Sequence, residues 1–181
     1  MNLSPIFKLN RFKSFLMKKL LILRHAKSSW DNPDLADFDR PLNQRGVIAS
    51  PFMGELIARK QYLPEVIISS PAKRASQTAL LVKASSGSNA DVKYDERIYE
   101  ASPQALRQVV SELGDDTSSA MIVGHNPGIE GFIKYLTGRL ESMPTAALAS
   151  ITLNIDSWSD LSIDCGEIQE ILRPKEEMKS L

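Results

Sequence analysis

The run KLLIL at Lys19–Leu23, followed at once by Arg24 and His25, decides the fold. Four of its five residues are apolar and none alternates with a polar partner. That is the signature of a strand covered on both faces, as in a largely parallel sheet. Two more runs of the same kind lie downstream. Val66–Ile68 ends in Ser69, Ser70 and Pro71, and Ala120–Val123 ends in the turn Gly124–Gly128 (GHNPG). Between them the spacing predicts helices. One runs from Gln44 to about Lys60 behind a cap at Asn43, with Pro51 as a point where it kinks or before which it cannot start. A second spans Ala72 to about Lys83, with Ala75, Ala79 and Val82 on one face. Ser102 and Pro103 open a third, with proline at the first helical position, and a fourth follows Gly128 to about Leu136. A weak strand is expected around Val92, and late strands at Ala147–Leu153 and Ile168–Leu172. Ser85–Asn89 (SSGSN) reads as a flexible loop tip. Strands alternating with helices predict an α/β domain with a largely parallel central sheet.

The 181 residues suit one domain with a substantial core. Twenty-two basic and 22 acidic residues give no net charge, which argues against a general nucleic-acid binder. No apolar run reaches the roughly 18 residues of a membrane span. The single cysteine, Cys165, has no partner for an internal disulfide, and a reducing, cytoplasmic location is expected. Residues 1–16 mix Lys8, Arg11 and Lys13 with Phe, Leu and Ile but lack the apolar core and cleavage site of a secretory signal. They are read as a disordered leader or an over-long start before Met17, with a basic membrane-surface segment as the alternative. The domain proper is then residues 17–181.

The chain has two histidines, and both follow a buried strand: His25 after LLILR, His125 after MIVG. Ligands of open α/β sheets bind outside the carboxyl ends of the strands. Arg74 stands just after a third strand end, in the first turn of its helix. Arg24, His25, Arg74 and His125 are therefore expected to converge on one crevice. Guanidinium forks bind phosphate oxygens and stay charged at any working pH. Nearby cations keep an imidazole neutral and able to attack phosphorus, and a cationic cage stabilises the charge that spreads over the equatorial oxygens. Each residue alone has a bland reading, a structural histidine or a surface ion-pair arginine; the combination is what points to phosphoryl chemistry. Metal ligation lacks a third ligand in any recognisable spacing. Ser69 and Ser70 lack the GxSxG elbow of a serine hydrolase, and no nucleotide-binding glycine loop is present. Trp30 and Trp158 read as ordinary packing residues.

Set in order, these stretches resemble the histidine phosphatase superfamily, branch 1, and within it the SixA-type phosphohistidine phosphatases. Leu23–Ala26 (LRHA) is similar to the family's RHG signature, with alanine at its third position. Asp39–Gly46 (DRPLNQRG) resembles its RPLT-x-x-G stretch. Ser69–Ala79 (SSPAKRASQTA) resembles its SSPxxRAxQTA block, and Val123–Pro127 its second-histidine motif. Thr145–Leu153 resembles the small-residue strand near its C-terminus. The resemblance covers roughly residues 18 to 173 and implies a three-layer α/β/α sandwich of the phosphoglycerate mutase-like kind. It implies His25 as nucleophile, Arg24 and Arg74 as phosphate clamps, His125 completing the cage, and Ser28 at the phosphate. It also implies no cofactor and no metal. For the general acid it leaves two candidates: Glu100, if Ile98–Glu100 aligns with the L-x-E stretch of relatives, or Glu96, if Glu96–Tyr99 aligns with ERHY of the mutases. A third possibility is that both are plain surface carboxylates. The implied substrate is a phosphorylated protein, such as a phosphohistidine-carrying signalling domain. A small-phosphoester phosphatase or mutase of the same fold is one alternative, and a non-catalytic phospho-binding module the other.

Overall fold

In the computed structural model, which describes residues 17–179, the opening run forms β1 (Lys18–Arg24) at the centre of a six-stranded sheet. The leader reading of residues 1–16 falls outside the described residues. The other strands are β2 (Val66–Ser69), β3 (Asp91–Tyr94), β4 (Ser119–Gly124), β5 (Leu148–Leu153) and β6 (Gly166–Leu172), in the order β3-β2-β4-β1-β5-β6. β3, β2, β4 and β1 run parallel, and β5 is antiparallel to both β1 and β6.

Alternation along the strands explains the two helical layers. Leu20 and Ile22 of β1, Ile68 of β2 and Ile122 of β4 face one apolar cluster. That side is closed by α3 (Pro103–Ser111) and α4 (Gly128–Thr137), whose Leu106, Val110, Phe132 and Ile133 are buried there. Leu21, Leu23, Ile67, Met121 and Val123 face the other cluster, under α1 (Gln44–Arg59) and α2 (Lys73–Ser86). The result is the expected three-layer α/β/α sandwich. A last short helix, α5 (Pro174–Glu177), follows β6 and was not anticipated.

Two expectations need correction. Pro51 neither delays nor ends α1, which begins at Gln44 behind Asn43, whose side chain accepts from the Gly46 N–H. Proline removes one backbone donor, but the helix is held by its buried face, Met53, Gly54, Leu56 and Ile57, against α2. Ser85 and Ser86 belong to α2, which closes at Gly87 in the left-handed conformation (φ 67°). Ser88 is buried beyond it, so SSGSN is a helix terminus and not a free loop tip. Among the described residues no helix is long and apolar enough to cross a membrane.

Candidate active site

β2, β4 and β1 are neighbours and parallel, so their carboxyl ends open on one edge of the sheet. Arg24 lies level with Gly124, and Ser69 with Val123. The ladder continues one residue further, with the His25 N–H donating to the Gly124 carbonyl (3.0 Å) and the Ser70 N–H to Val123 (2.9 Å). His25, Ser70 and His125 thus leave three adjacent strands at the same height. The two imidazole centroids are 4.8 Å apart. Arg24, His25, Ser28 and Arg74 line one cavity of about 190 Å³, together with Lys27, Trp30, Arg40 and Thr145.

The His25 ring is oriented by its own backbone. Its Nδ1 lies 2.7 Å from the Ala26 carbonyl oxygen, which can only accept, so Nδ1 carries the hydrogen and Nε2 of the neutral ring keeps its lone pair. Ala26 is fixed in turn, its N–H donating to Thr78 Oγ1, whose hydroxyl donates to the Arg74 carbonyl. Thr78 therefore joins the histidine turn to the helix that carries Arg74. Its neighbour Gln77 accepts the Leu42 N–H and pins the RPL stretch. Arg24 Nη1 donates to the Met143 carbonyl, which Asn126 Nδ2 also reaches, while Glu130 holds both Asn126 and the Met143 N–H.

Burial pushes His25 down to about 4, with Arg74 and Arg24 adding to the effect against a hydrogen bond to Ala26. His125 falls to about 3 through burial, the neighbouring His25 and then Arg74. Both rings are therefore neutral at neutral pH. His125 Nε2 pairs with Ser70 Oγ at 2.9 Å, and its Nδ1 is buried without a hydrogen-bond partner among the described residues, as is Arg24 Nε.

Asp37 stands across from these cations, in a short helical turn after the histidine loop. Its carboxylate takes Arg74 Nη2 and Arg40 Nη1 at 2.8 Å each and the Tyr99 hydroxyl at 3.0 Å. Partial burial pulls its pKa up, but hydrogen bonds from Arg74, Tyr99 and Arg40 outweigh that and hold it below the ordinary carboxylate value. Arg40 is buried, donates to Ser28 Oγ (2.9 Å) and the Ser29 carbonyl (2.9 Å), and stands over the Trp30 ring with Cζ 3.2 Å from the centroid. Trp30 is thus no packing residue: it is 71% exposed at the cavity rim, whereas Trp158 is fully buried.

A model of the histidine phosphatase superfamily (branch 1) matches residues 20–108. An uncharacterized protein of Mycobacterium leprae is 32% identical over 160 residues, 81% of this chain and 96% of that one. The chain belongs to the histidine phosphatase superfamily, branch 1. Its SixA character follows from the SixA structure of Agrobacterium tumefaciens, which superposes with a TM-score of 0.76 at 27% identity, covering 87% of this chain and 98% of that one. The phosphoglycerate mutase of Bacillus anthracis shares the fold alone, with a TM-score of 0.68 at 13% identity over 90% of this chain and 96% of that one.

In this histidine phosphatase the structure brings Arg24, His25, Ser28 and Arg74 to one cavity, with the His125 ring beside that of His25. Glu100 and Glu96 do not join them: both are exposed and neither lines the cavity. The carboxylate at the site is Asp37, which no sequence pattern singled out. Arg40 was quoted only as part of a motif, and Tyr99 only as the neighbour of Glu100. Its ring packs edge-on to His125, 5.6 Å between centroids. A signal was available in DFDR at Asp37–Arg40, where acid and base are spaced to pair across one helical turn.

Proposed function

We infer that this phosphatase works through a phosphohistidine on His25 and that its substrate is phosphohistidine carried by a protein. The observation that carries the reading is the Nδ1–H of His25 held on the Ala26 carbonyl, which leaves Nε2 unprotonated beside Arg24 and Arg74. In the first half-reaction Nε2 forms a bond to phosphorus as the bond to the leaving nitrogen breaks. The departing imidazole, protonated by solvent on its distal nitrogen, takes the bonding pair and leaves as the neutral ring, and the guanidinium groups balance the equatorial oxygens. In the second half-reaction a water oxygen attacks phosphorus, the P–N bond to His25 breaks and orthophosphate leaves. Ser28 and Arg40 extend the cationic and hydroxyl lining of the same cavity. Imidazole departs with less help than an alkoxide, which suits a cavity lined by no carboxylate among the described residues, with the neighbouring Asp37 paired to two of its arginines.

Acid-quenched and base-quenched turnover is the direct test. Label from a radioactive phosphohistidine peptide should appear on His25, stable to base and labile to acid, and His25→Ala should abolish it. EDTA should leave the rate unchanged, because Arg24 and Arg74 supply the positive charge. Label on a serine, or activity lost to chelator and restored by a divalent ion, would overturn the mechanism.

A further inference from the structure

Beside the catalytic cavity lies a larger groove of about 430 Å³, and Lys27 and Thr145 line both. Among the described residues its lining includes four cations, Lys27, Arg45, Lys175 and Lys179, and no acid. None of the four takes part in an ion pair among the described residues. The rest of the lining is largely apolar, with Ile48 57% and Met178 38% exposed. Four separate segments build it: the loop after β1, the start of α1, the turn before β5, and α5 with the residues after it. Cations outside any ion pair among the described residues, around an apolar floor beside a phosphoryl-transfer cavity, call for an occupant that is acidic and apolar at once.

We propose that this groove receives an acidic, apolar-studded segment of the phosphorylated protein substrate, adjacent to the phosphorylated side chain. The proposal rests on the phosphatase reading and adds the chemistry by which the substrate is chosen. Aliphatic side chains of the segment cover Ile48 and Met178, while its carboxylates meet Arg45, Lys175 and Lys179 at the rim. A compact small polyanion would leave the apolar floor uncovered.

The test uses the full chain, the double variant Lys175→Glu/Lys179→Glu, and two synthetic peptides with one phosphohistidine each. One peptide is flanked by Asp, Glu and Leu, the other by Lys, Ser and Leu. The wild-type chain should show a kcat/KM about tenfold or more higher on the acidic peptide, the gap shrinking with added salt. The double variant should lose or reverse that preference while its p-nitrophenyl phosphate turnover stays at the wild-type level. Fluorescence anisotropy of the acidic peptide without its phosphate reads the groove independently of chemistry. If neither p-nitrophenyl phosphate nor either phosphohistidine peptide is turned over, the phosphatase reading fails, and anisotropy still decides the groove. Equal treatment of the two peptides by both chains, or anisotropy that the double variant does not change, overturns the proposal. So does a wild-type dimer in sedimentation that the double variant abolishes, which would make a second copy the occupant.

Discussion

At the cavity the acidic groups are divided between two environments. Asp37 touches Arg74, Arg40 and Tyr99, and its lowered pKa keeps it a carboxylate. A general acid must bring a proton within hydrogen-bond reach of the leaving atom, directly or through one water. Glu100 and Glu96 would have to reach that atom from exposed positions outside the cavity. Glu100→Gln and Glu96→Gln are therefore expected to change kcat on p-nitrophenyl phosphate, an alkyl phosphate and a phosphohistidine peptide by less than about threefold. An acid would instead cost ~10²–10⁴-fold on the alkyl ester alone. Asp37→Asn should slow all three substrates, because Arg74 and Arg40 lose the carboxylate that aims them. A selective loss on the alkyl ester in Glu100→Gln would establish Glu100 as the acid.

Among the elements, α2 does the most to assemble the site. It carries Arg74, Gln77 and Thr78, and its outer neighbour α1 packs against it through Gly54. A Cβ on Gly54 would stand 2.6 Å from the Val82 carbonyl oxygen and 2.1 Å from Ser85 Oγ. The hydroxyl can rotate away, but the backbone carbonyl cannot, so the helices must part. Gly54→Ala should destabilise the protein by about 1–3 kcal/mol, a typical overpacking cost. Thermal unfolding reads this as a Tm lowered by several degrees, and a Tm within about 1 °C of wild type would refute the contact. Strands and helices were legible in the sequence because burial on both faces of β1, β2 and β4 leaves unbroken apolar runs. The histidines and Arg74 were legible because a buried strand followed by a basic residue is readable locally. Asp37 and Tyr99 were not, since their partnership spans 62 residues and depends on how the long loop folds back. Trp30 was misread for a related reason: an aromatic ring looks like core until Arg40 is seen beneath it.

For the molecule as a whole, the two apolar clusters support a sheet edge on which two imidazoles are held neutral, and that arrangement links the site to global stability. Both folded-state values, about 4 for His25 and about 3 for His125, lie below the ordinary 6.5. Between those limits the unfolded chain binds more protons than the folded one, so stability rises with pH through the window. Their contribution is complete above pH 6.5 and is lost as the pH falls towards 4 and then 3. The chain has no other histidine, and the depressed carboxylates Asp37, Asp95 and Glu112 act only below their ordinary values of 3.8 to 4.5. The window from about pH 6.5 to 4.5 therefore belongs to the pair. Each histidine is expected to contribute a slope of up to about 1.4 kcal/mol per pH unit there. Urea unfolding at a series of pH values should show this rise in the wild-type chain and about half of it in His125→Asn. Saturating vanadate, an anion beside Arg24 and Arg74, should favour the charged imidazoles and flatten the slope further. A stability independent of pH across the window would mean that the two rings are solvated and charge freely in the folded state. That outcome would remove the electrostatic basis for a neutral His25 as nucleophile.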